Sequence, residues 1–339
     1  KNLNQKKYNV FILSLKRNFY KQNLLKYCKE VREIDCSSTL FSLNKINNYL
    51  KKFDKNNTLL ISNINYANSL FVLYFKILKK FKIIIIERTP YQELNIYYSL
   101  RDFFKKLIIK IIIKFFYKSA DTLIANSRKT ANDYSKIIKK NCFYVYPLSF
   151  KSKINIKKKN NINDQIKILT IARLSKEKKI EDQIYALKKI GNKKYNLTIV
   201  GDGDLKISLN NLIRKYNLKV KIVNYSNKNK IKYLKKSDLY ICSSDFEGFP
   251  NTVVDAVNFG LPVISSRNHG GIYEILMNGS GGTFYKTRNI DDLANKIKNV
   301  VKYYKKNLKK NVIAKKGLNR FSELNIKKYE KIFDKVLIK

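Results

Sequence analysis

The sequence has no tryptophan, one methionine, one histidine and four cysteines in 339 residues. The cysteines, Cys28, Cys36, Cys142 and Cys242, lie far apart with no C-x-x-C pair, and His269 stands alone. A zinc centre or a disulfide framework is therefore not expected, and a reducing cytosol suits this usage. Long apolar runs are missing as well. No stretch reaches the roughly 18 to 20 uncharged residues that span a bilayer, and no signal-peptide pattern is read at the start. The chain opens at Lys1 rather than Met, which makes a fragment the expectation.

Acid is scarce: 25 Asp and Glu face 71 Lys and Arg, a formal net charge of +46. Such surfaces gather phosphates and anionic lipid. Only 10 of the 71 basic residues are Arg, while Lys, Asn, Ile and Tyr abound. An AT-rich coding sequence produces that pattern without selection for charge, yet the surface still attracts polyanions. A nucleic-acid-binding protein is one class this permits; it would need aromatic and basic residues gathered on one face, whereas these lysines are spread throughout.

What is present is enough apolar material for a globular fold, with 44% hydrophobic and 13% aromatic residues. The length suits two domains of roughly 150 residues each. In the first half the runs YNVFILSL, TLLISNI, KIIIIE, DTLIANS and CFYVYPL read as buried strands, with helical patterns such as Ser37 to Phe53 and Ala67 to Lys80 between them. Residues 151–165 are polar, rich in Lys and Asn, and read as a linker. The alternation then restarts with IKILTIARL, NLTIVGDG, KVKIVNY, SDLYICSS and PVISS as strands. Helices are expected from Ile180 to Ile190, Leu205 to Tyr216, Lys228 to Lys236, and from Asn251, a favourable N-cap, to Gly260. The fold class is thus α/β, two doubly wound parallel-sheet domains over 1–150 and 166–322. A final helix over 323–339 is expected to pack back on the N-terminal domain.

In such sheets ligands bind beyond the carboxyl ends of the strands, which directs attention to the loops there. Arg173 and Lys178 follow ILTIA and can clamp a diphosphate, Arg by its planar fork and Lys as a point charge. Gly201 and Gly203, in VGDGDL, allow close backbone approach, but the third glycine of a dinucleotide fingerprint is missing. Asp202 and Asp204 form a D-x-D that could hold a divalent ion, against the plainer role of acids at a helix start. Glu247 and Asp255 flank the turn Gly248-Phe249-Pro250-Asn251 and can share one side of a helix N-terminus. Gly270 and Gly271 follow another strand, with His269 beside them.

Together, SSDFEGFPNTVVDAVNFGLPVI and HGGIYEI resemble the signature of retaining glycosyltransferases of the GT-B fold, family 4. The family's E-x7-E motif falls on Glu247 and Asp255, its G-R-L-x-x-x-K-G on Ala172, Arg173, Leu174 and Lys178, and its V-G-x-G-P-L on Val200 to Leu205. The segments IIIIERTP, YKSADTLIANS and VYPLSF resemble its N-terminal domain more loosely. The resemblance implies two Rossmann-like domains facing a cleft and a nucleotide-sugar donor, UDP by family frequency, used without metal or other cofactor. It implies catalytic roles for Glu247, Arg173 and Lys178. Donor contacts would add Gly201, Gly203, Tyr225, Gly248, Phe249, Pro250, Asn251, Thr252, Asp255, Gly270 and Gly271. Arg173 and Lys178 would neutralise the departing diphosphate. Glu247 would hold a donor-sugar hydroxyl and Asp255 the ribose hydroxyls, so the two carboxylates are not the acid and nucleophile of a glycosidase.

The chain departs from the pattern in three ways: Asp255 replaces the second Glu, Asp204 and Lys179 replace a Pro and a Gly, and the family's first strand with its glycine-rich loop is not found. A truncation of roughly 20 to 40 residues, about the size of a strand and its crossover, with weak or no activity, is expected from the last. A noncatalytic nucleotide-sugar-binding relative is the second reading.

On the acceptor side, relatives with similar segments extend glycans on polyprenyl-diphosphate lipids or other envelope polysaccharides such as lipopolysaccharide; Glu87 and Arg88 are the candidates here. In LRDFFKKLIIKIIIKFFYKSAD, lysines recur at 106, 110, 114 and 118. A basic amphipathic helix of this kind can lie in a membrane interface, with Lys106, Lys110 and Lys114 facing it. The expected location is the cytoplasm, peripheral on the inner face of the membrane. No nucleic-acid partner is expected.

Overall fold

The computed structural model describes residues 3–15, 21–36, 39–63, 65–150, 152, 154, 165–191, 194–268 and 270–338. His269 and nearly all of the 151–165 linker lie outside these. Contacts divide the chain into two compact units, one formed by Lys1–Asn126, Ala131–Val145 and Glu323–Lys339, the other by Ser127–Thr130 and Tyr146–Ser322.

In the first unit, β1 (Phe11–Ser14) and β2 (Glu30–Glu33) form a parallel pair. Strands β3 (Leu59–Ser62), β4 (Lys82–Glu87), β5 (Thr122–Ala125) and β6 (Cys142–Tyr144) form a parallel sheet in that order. The isoleucine run of β4 shows why it is a strand. Successive side chains point to opposite faces, so Ile83 and Ile85 join the core with Phe75, Ile113 and Leu123. Ile84 and Ile86 meet Phe333 and Val336 of the helix Ile326–Ile338. Both faces are covered, which is what a continuous apolar strand requires. The helix Ile326–Ile338 is tied further by the Tyr8 hydroxyl, which donates to Asp334, and by Lys82 Nζ, which donates to the Leu337 carbonyl at 2.7 Å.

The helix Leu100–Phe116 starts on Ser99, whose hydroxyl accepts from the Asp102 amide at 3.1 Å. Its lysines do not form one outward stripe. Lys106 shares the inner face with Ile109 and Ile113 and is only 3% exposed. Its ammonium donates to Asp102 Oδ2 at 2.9 Å and to the Ile96 carbonyl at 2.7 Å. Lys106 therefore does not face a membrane; at 100° per residue it lies beside the core positions. Lys110 donates to the Tyr97 hydroxyl at 2.8 Å, and Lys114 is exposed.

In the second unit, β7 (Ile166–Ile171), β8 (Tyr195–Val200), β9 (Val220–Val223), β10 (Leu239–Cys242), β11 (Val263–Ser266) and β12 (Thr283–Tyr285) are all parallel, in the order β12-β11-β10-β7-β8-β9. Winding runs outward from β7 to β9 on one side and from β10 to β12 on the other. The direction reverses between β7 and β10, and at such a reversal the two crossovers leave on opposite faces and open a crevice beyond the strand ends. The α/β expectation holds, and this reversal positions the site.

Candidate functional site

Two loops meet at the reversal. After β7 the chain passes through Ala172, Arg173 and Leu174 into a short turn, Lys176–Lys178, and then the helix Ile180–Ile190. After β10 it passes through Ser243, Ser244 and Asp245 to Glu247. The Ser243 hydroxyl donates to the Lys178 carbonyl at 2.7 Å, and the Asp245 amide donates to the Glu177 carbonyl at 2.8 Å. Behind them Gln183 donates to Ser243 Oγ at 2.7 Å and accepts from Thr170 at 2.6 Å. These buried polar groups are paired with one another, which fixes one loop against the other.

On that base Lys178 Nζ donates to Glu247 Oε1 at 2.8 Å, and the Ser244 hydroxyl donates to the same oxygen at 2.7 Å. Glu247 Oε2 accepts no hydrogen bond from the described residues. Burial pulls the Lys178 proton affinity down, but the charge and hydrogen bond of Glu247 more than reverse this, so its pKa stands above the ordinary lysine value. Lys178 is thus a fixed cation at neutral pH. Arg173 is exposed, and its guanidinium has no hydrogen bond or ion pair with the described residues.

Lys179, where the resemblance has glycine, adopts φ 47° and ψ 45°. That left-handed conformation is the one glycine enters without steric cost, which explains the residue type found in the pattern.

The glycines are held by neighbouring backbone. A Cβ on Gly201 would lie 1.9 Å from the Ala172 carbonyl oxygen, and Gly270, at φ +110°, would place one 1.7 Å from the Glu247 carbonyl oxygen. Gly203 likewise abuts Leu174, while Gly271 donates its amide to the Gly248 carbonyl at 2.8 Å. These glycines let the strand-end loops touch, so close packing around Arg173 and Glu247 already accounts for them.

The helix Asn251–Asn258 begins after Pro250, and no side chain caps it. Asn251 is therefore the first helical residue rather than the N-cap; its side chain accepts from the Ser149 hydroxyl instead. Phe249 is buried against Phe321 and Tyr146, and Thr252 accepts from the buried Tyr240 hydroxyl at 2.9 Å. Asp255 lies partly buried on this helix, with Lys230 Nζ 3.0 Å from its Oδ2 and no partner among the described residues at Oδ1. Burial raises the Asp255 pKa above the usual carboxylate value, and Lys230 only partly offsets this. Tyr225, after β9, is 53% exposed.

In the first unit Glu87 and Arg88 separate. Arg88 is exposed, whereas Glu87 is fully buried, accepting from Asn68 at 2.7 Å and Tyr117 at 2.9 Å on Oε1. Burial pushes its pKa up to about 7. Glu87 therefore does not face an acceptor; it ends a strand covered on both faces.

Lys230, Ser244, Asp245 and Arg288 are absent from the sequence reading. Arg288 Nε and Nη2 grip the fully buried Asp245 carboxylate at 2.7 and 2.8 Å, anchoring the β10 loop. The scarcity of Arg and the position of Asp245 just after a strand were the available signals; Lys230 had none among so many lysines.

Residues 152–317 match the family model described as glycosyl transferases group 1. These residues belong to that family. Among curated relatives, the group 1 segment lies within a chain 34% identical over 188 residues to an uncharacterized glycosyltransferase of Methanocaldococcus jannaschii, covering 51% of this chain and 46% of that one. The chain is 28% identical over 204 residues to N-acetylgalactosamine-N,N'-diacetylbacillosaminyl-diphospho-undecaprenol 4-alpha-N-acetylgalactosaminyltransferase of Campylobacter jejuni, covering 58% and 55%. It thus spans about half the length of these curated relatives. A solved Anabaena HepE structure with UDP-glucose matches at a TM-score of 0.74 and 16% identity, covering 96% of this chain and 91% of that one. That likeness is one of fold, and the fold is GT-B.

Proposed function

We propose that this chain is a glycosyltransferase that moves a sugar from a nucleotide-sugar, a UDP-sugar by preference, to a glycan or polyprenyl-diphosphate-linked glycan in envelope polysaccharide synthesis. The carrying observation is the Lys178 to Glu247 pair at 2.8 Å where the winding of a group 1 segment reverses. The names of the relatives add support: HepE was solved with UDP-glucose, and the Campylobacter enzyme acts on a diphospho-undecaprenol substrate.

In this reading Lys178 and Arg173 face the donor diphosphate and balance the charge that grows as the bond from the sugar C1 to the phosphate oxygen breaks. Two cations supply that neutralisation, and no metal is assigned to it. Glu247, steadied on Oε1 by Lys178 and Ser244, offers Oε2 to a hydroxyl of the donor sugar. Asp255 offers Oδ1 to the ribose. The acceptor oxygen bonds to C1 from the face the phosphate leaves, its proton passing to the departing phosphate oxygen, so configuration is retained. Arg88 is the acceptor-side candidate, and the reaction takes place at the inner face of the cytoplasmic membrane.

UDP release from a panel of UDP-sugars, with proton NMR of the product anomer, tests this. Release with a retained anomer, lost in Glu247→Gln, is the expected result. Nucleotide binding with no turnover in a chain carrying an extended N-terminus would make it a noncatalytic relative, and salt-sensitive DNA binding without nucleotide binding would overturn the reading.

A further inference from the structure

We propose that the outer face of the helix Leu100–Phe116 docks the protein on an anionic lipid bilayer, lying in the plane of the interface with an apolar stripe inserted. The inference rests on the proposed function only in its last step, that a lipid-linked acceptor would be met at this surface.

The stripe is visible in the exposures. Leu100 is 80% exposed, Phe104 60%, Ile108 57%, Phe115 54% and Ile111 49%. At 100° per residue these five side chains fall within an arc of about 80°. The opposite side of the same helix carries Ile109, Ile113 and Lys106, all buried within the unit. The helix therefore has two apolar faces, and among the described residues only one of them is covered. Isolated exposed leucines are ordinary, whereas a continuous exposed row of large aliphatic and aromatic side chains marks a surface that meets something.

Charge decides what it meets. By the same helical geometry Arg101 and Lys105 border the stripe on one side, Lys110 and Lys114 on the other. The one acid in the helix, Asp102, is turned away: its carboxylate accepts from Lys106 and from the Tyr98 amide. An apolar row framed by cations, with no outward acid, matches the layering of an anionic membrane, where acyl chains lie beneath phosphates. A second copy is a poor fit, because a two-fold contact through this stripe would set lysine rows against lysine rows. Spanning is not at issue. The helix has 17 residues, about 25 Å at the α-helical rise, against roughly 30 Å of hydrocarbon, and no described helix is long and apolar enough to cross a membrane.

The absence of tryptophan makes the test direct. Phe104→Trp places a single indole in the stripe, and Tyr303→Trp places one at an exposed position of the other unit. The full chain is mixed at physiological ionic strength with vesicles of phosphatidylcholine alone or of phosphatidylcholine with phosphatidylglycerol. No donor or acceptor is present, so a failure of the transferase reading leaves this result untouched.

The expected outcome is a blue shift and quenching by brominated lipid for Phe104→Trp with anionic vesicles, and neither for Tyr303→Trp. Lys105→Gln with Lys114→Gln should lower anionic-vesicle affinity by about thirtyfold. Ile108→Glu with Ile111→Glu should abolish recovery with vesicles while the far-UV circular dichroism stays unchanged. Equal binding to neutral vesicles, no shift at position 104, or a concentration-dependent dimer removed by Ile108→Glu in place of vesicle binding would overturn the proposal.

Discussion

Lys178 Nζ lies 2.8 Å from Glu247 Oε1, joining the loop after β7 to the loop after β10. Both side chains are largely withdrawn from solvent, at 19% and 18% exposure, so neither charge is well served by water if its partner leaves. Lys178→Ala should cost about 1 to 3 kcal/mol of stability by stranding Glu247 and should weaken UDP binding by about tenfold or more. Lys178→Arg should recover part of both. Urea unfolding and calorimetric titration report the two effects separately, and unchanged UDP affinity in Lys178→Ala would remove the lysine from the donor site.

Asp255 and Lys230 lie 3.0 Å apart, and under the proposed donor site this pair should make the affinity for UDP depend on pH. Burial raises the Asp255 pKa and Lys230 lowers it; in the proposed site only the ionised carboxylate would accept from both ribose hydroxyls. UDP affinity should therefore fall as pH drops through that raised pKa. Lys230→Met removes the lowering influence, so the acidic limb should move to higher pH. Asp255→Glu should preserve or improve affinity by restoring reach, while Asp255→Ala weakens it at every pH. Titrations across the acid range check this; an unmoved limb in Lys230→Met would deny the coupling.

Burial of Glu87 should make the stability of the protein depend on pH. Its folded pKa is about 7 against 4.5 for the unexceptional group. The unfolded chain ionises first, so the cost of keeping Glu87 buried is absent at acid pH and grows as pH rises from the unfolded value to the folded one. The cost reaches roughly 3 kcal/mol above neutrality as an order of magnitude. Glu87→Gln should thus gain on wild type as pH rises over that window and hold the gain above it. A constant difference in unfolding free energy across the window would show that Glu87 is not the titrating group.

Lys179 occupies a left-handed backbone position at φ 47°. Lys179→Gly should relieve that strain and stabilise the protein by roughly 0.5 to 1 kcal/mol, less the entropy a glycine adds to the unfolded chain. Thermal unfolding measures the balance, and a destabilised variant would place the value of Lys179 in its side chain.

The strands were legible where both faces are buried, as in the isoleucine run of β4, because burial writes itself as an unbroken apolar run. Strands β2 and β12 leave no such run in the sequence. The first, Glu-Val-Arg-Glu, has three charged residues of four and pairs only with β1, and the second is three residues long. The loops after β7 and β10 were legible from Arg173, Lys178 and Glu247, whose types are unusual or ordered in the sequence. Lys230 was not, since nothing local separates it from its neighbours until the fold sets it against Asp255. Lys106 misled because a period of four drifts around the helix, carrying that lysine to the inner face.

A nucleoside diphosphate held at the carboxyl ends of β7 and β10 is tested best through Arg173. This residue is exposed and unpaired among the described residues, so its removal should leave the fold alone. Calorimetric titration of UDP into wild type and Arg173→Ala, in metal-free buffer, is the direct measurement. Wild type should bind UDP at one site, and Arg173→Ala should bind it with an affinity lower by about tenfold or more, with the melting temperature unchanged. No UDP binding by wild type, or equal affinity in the two proteins, would contradict the proposed donor site.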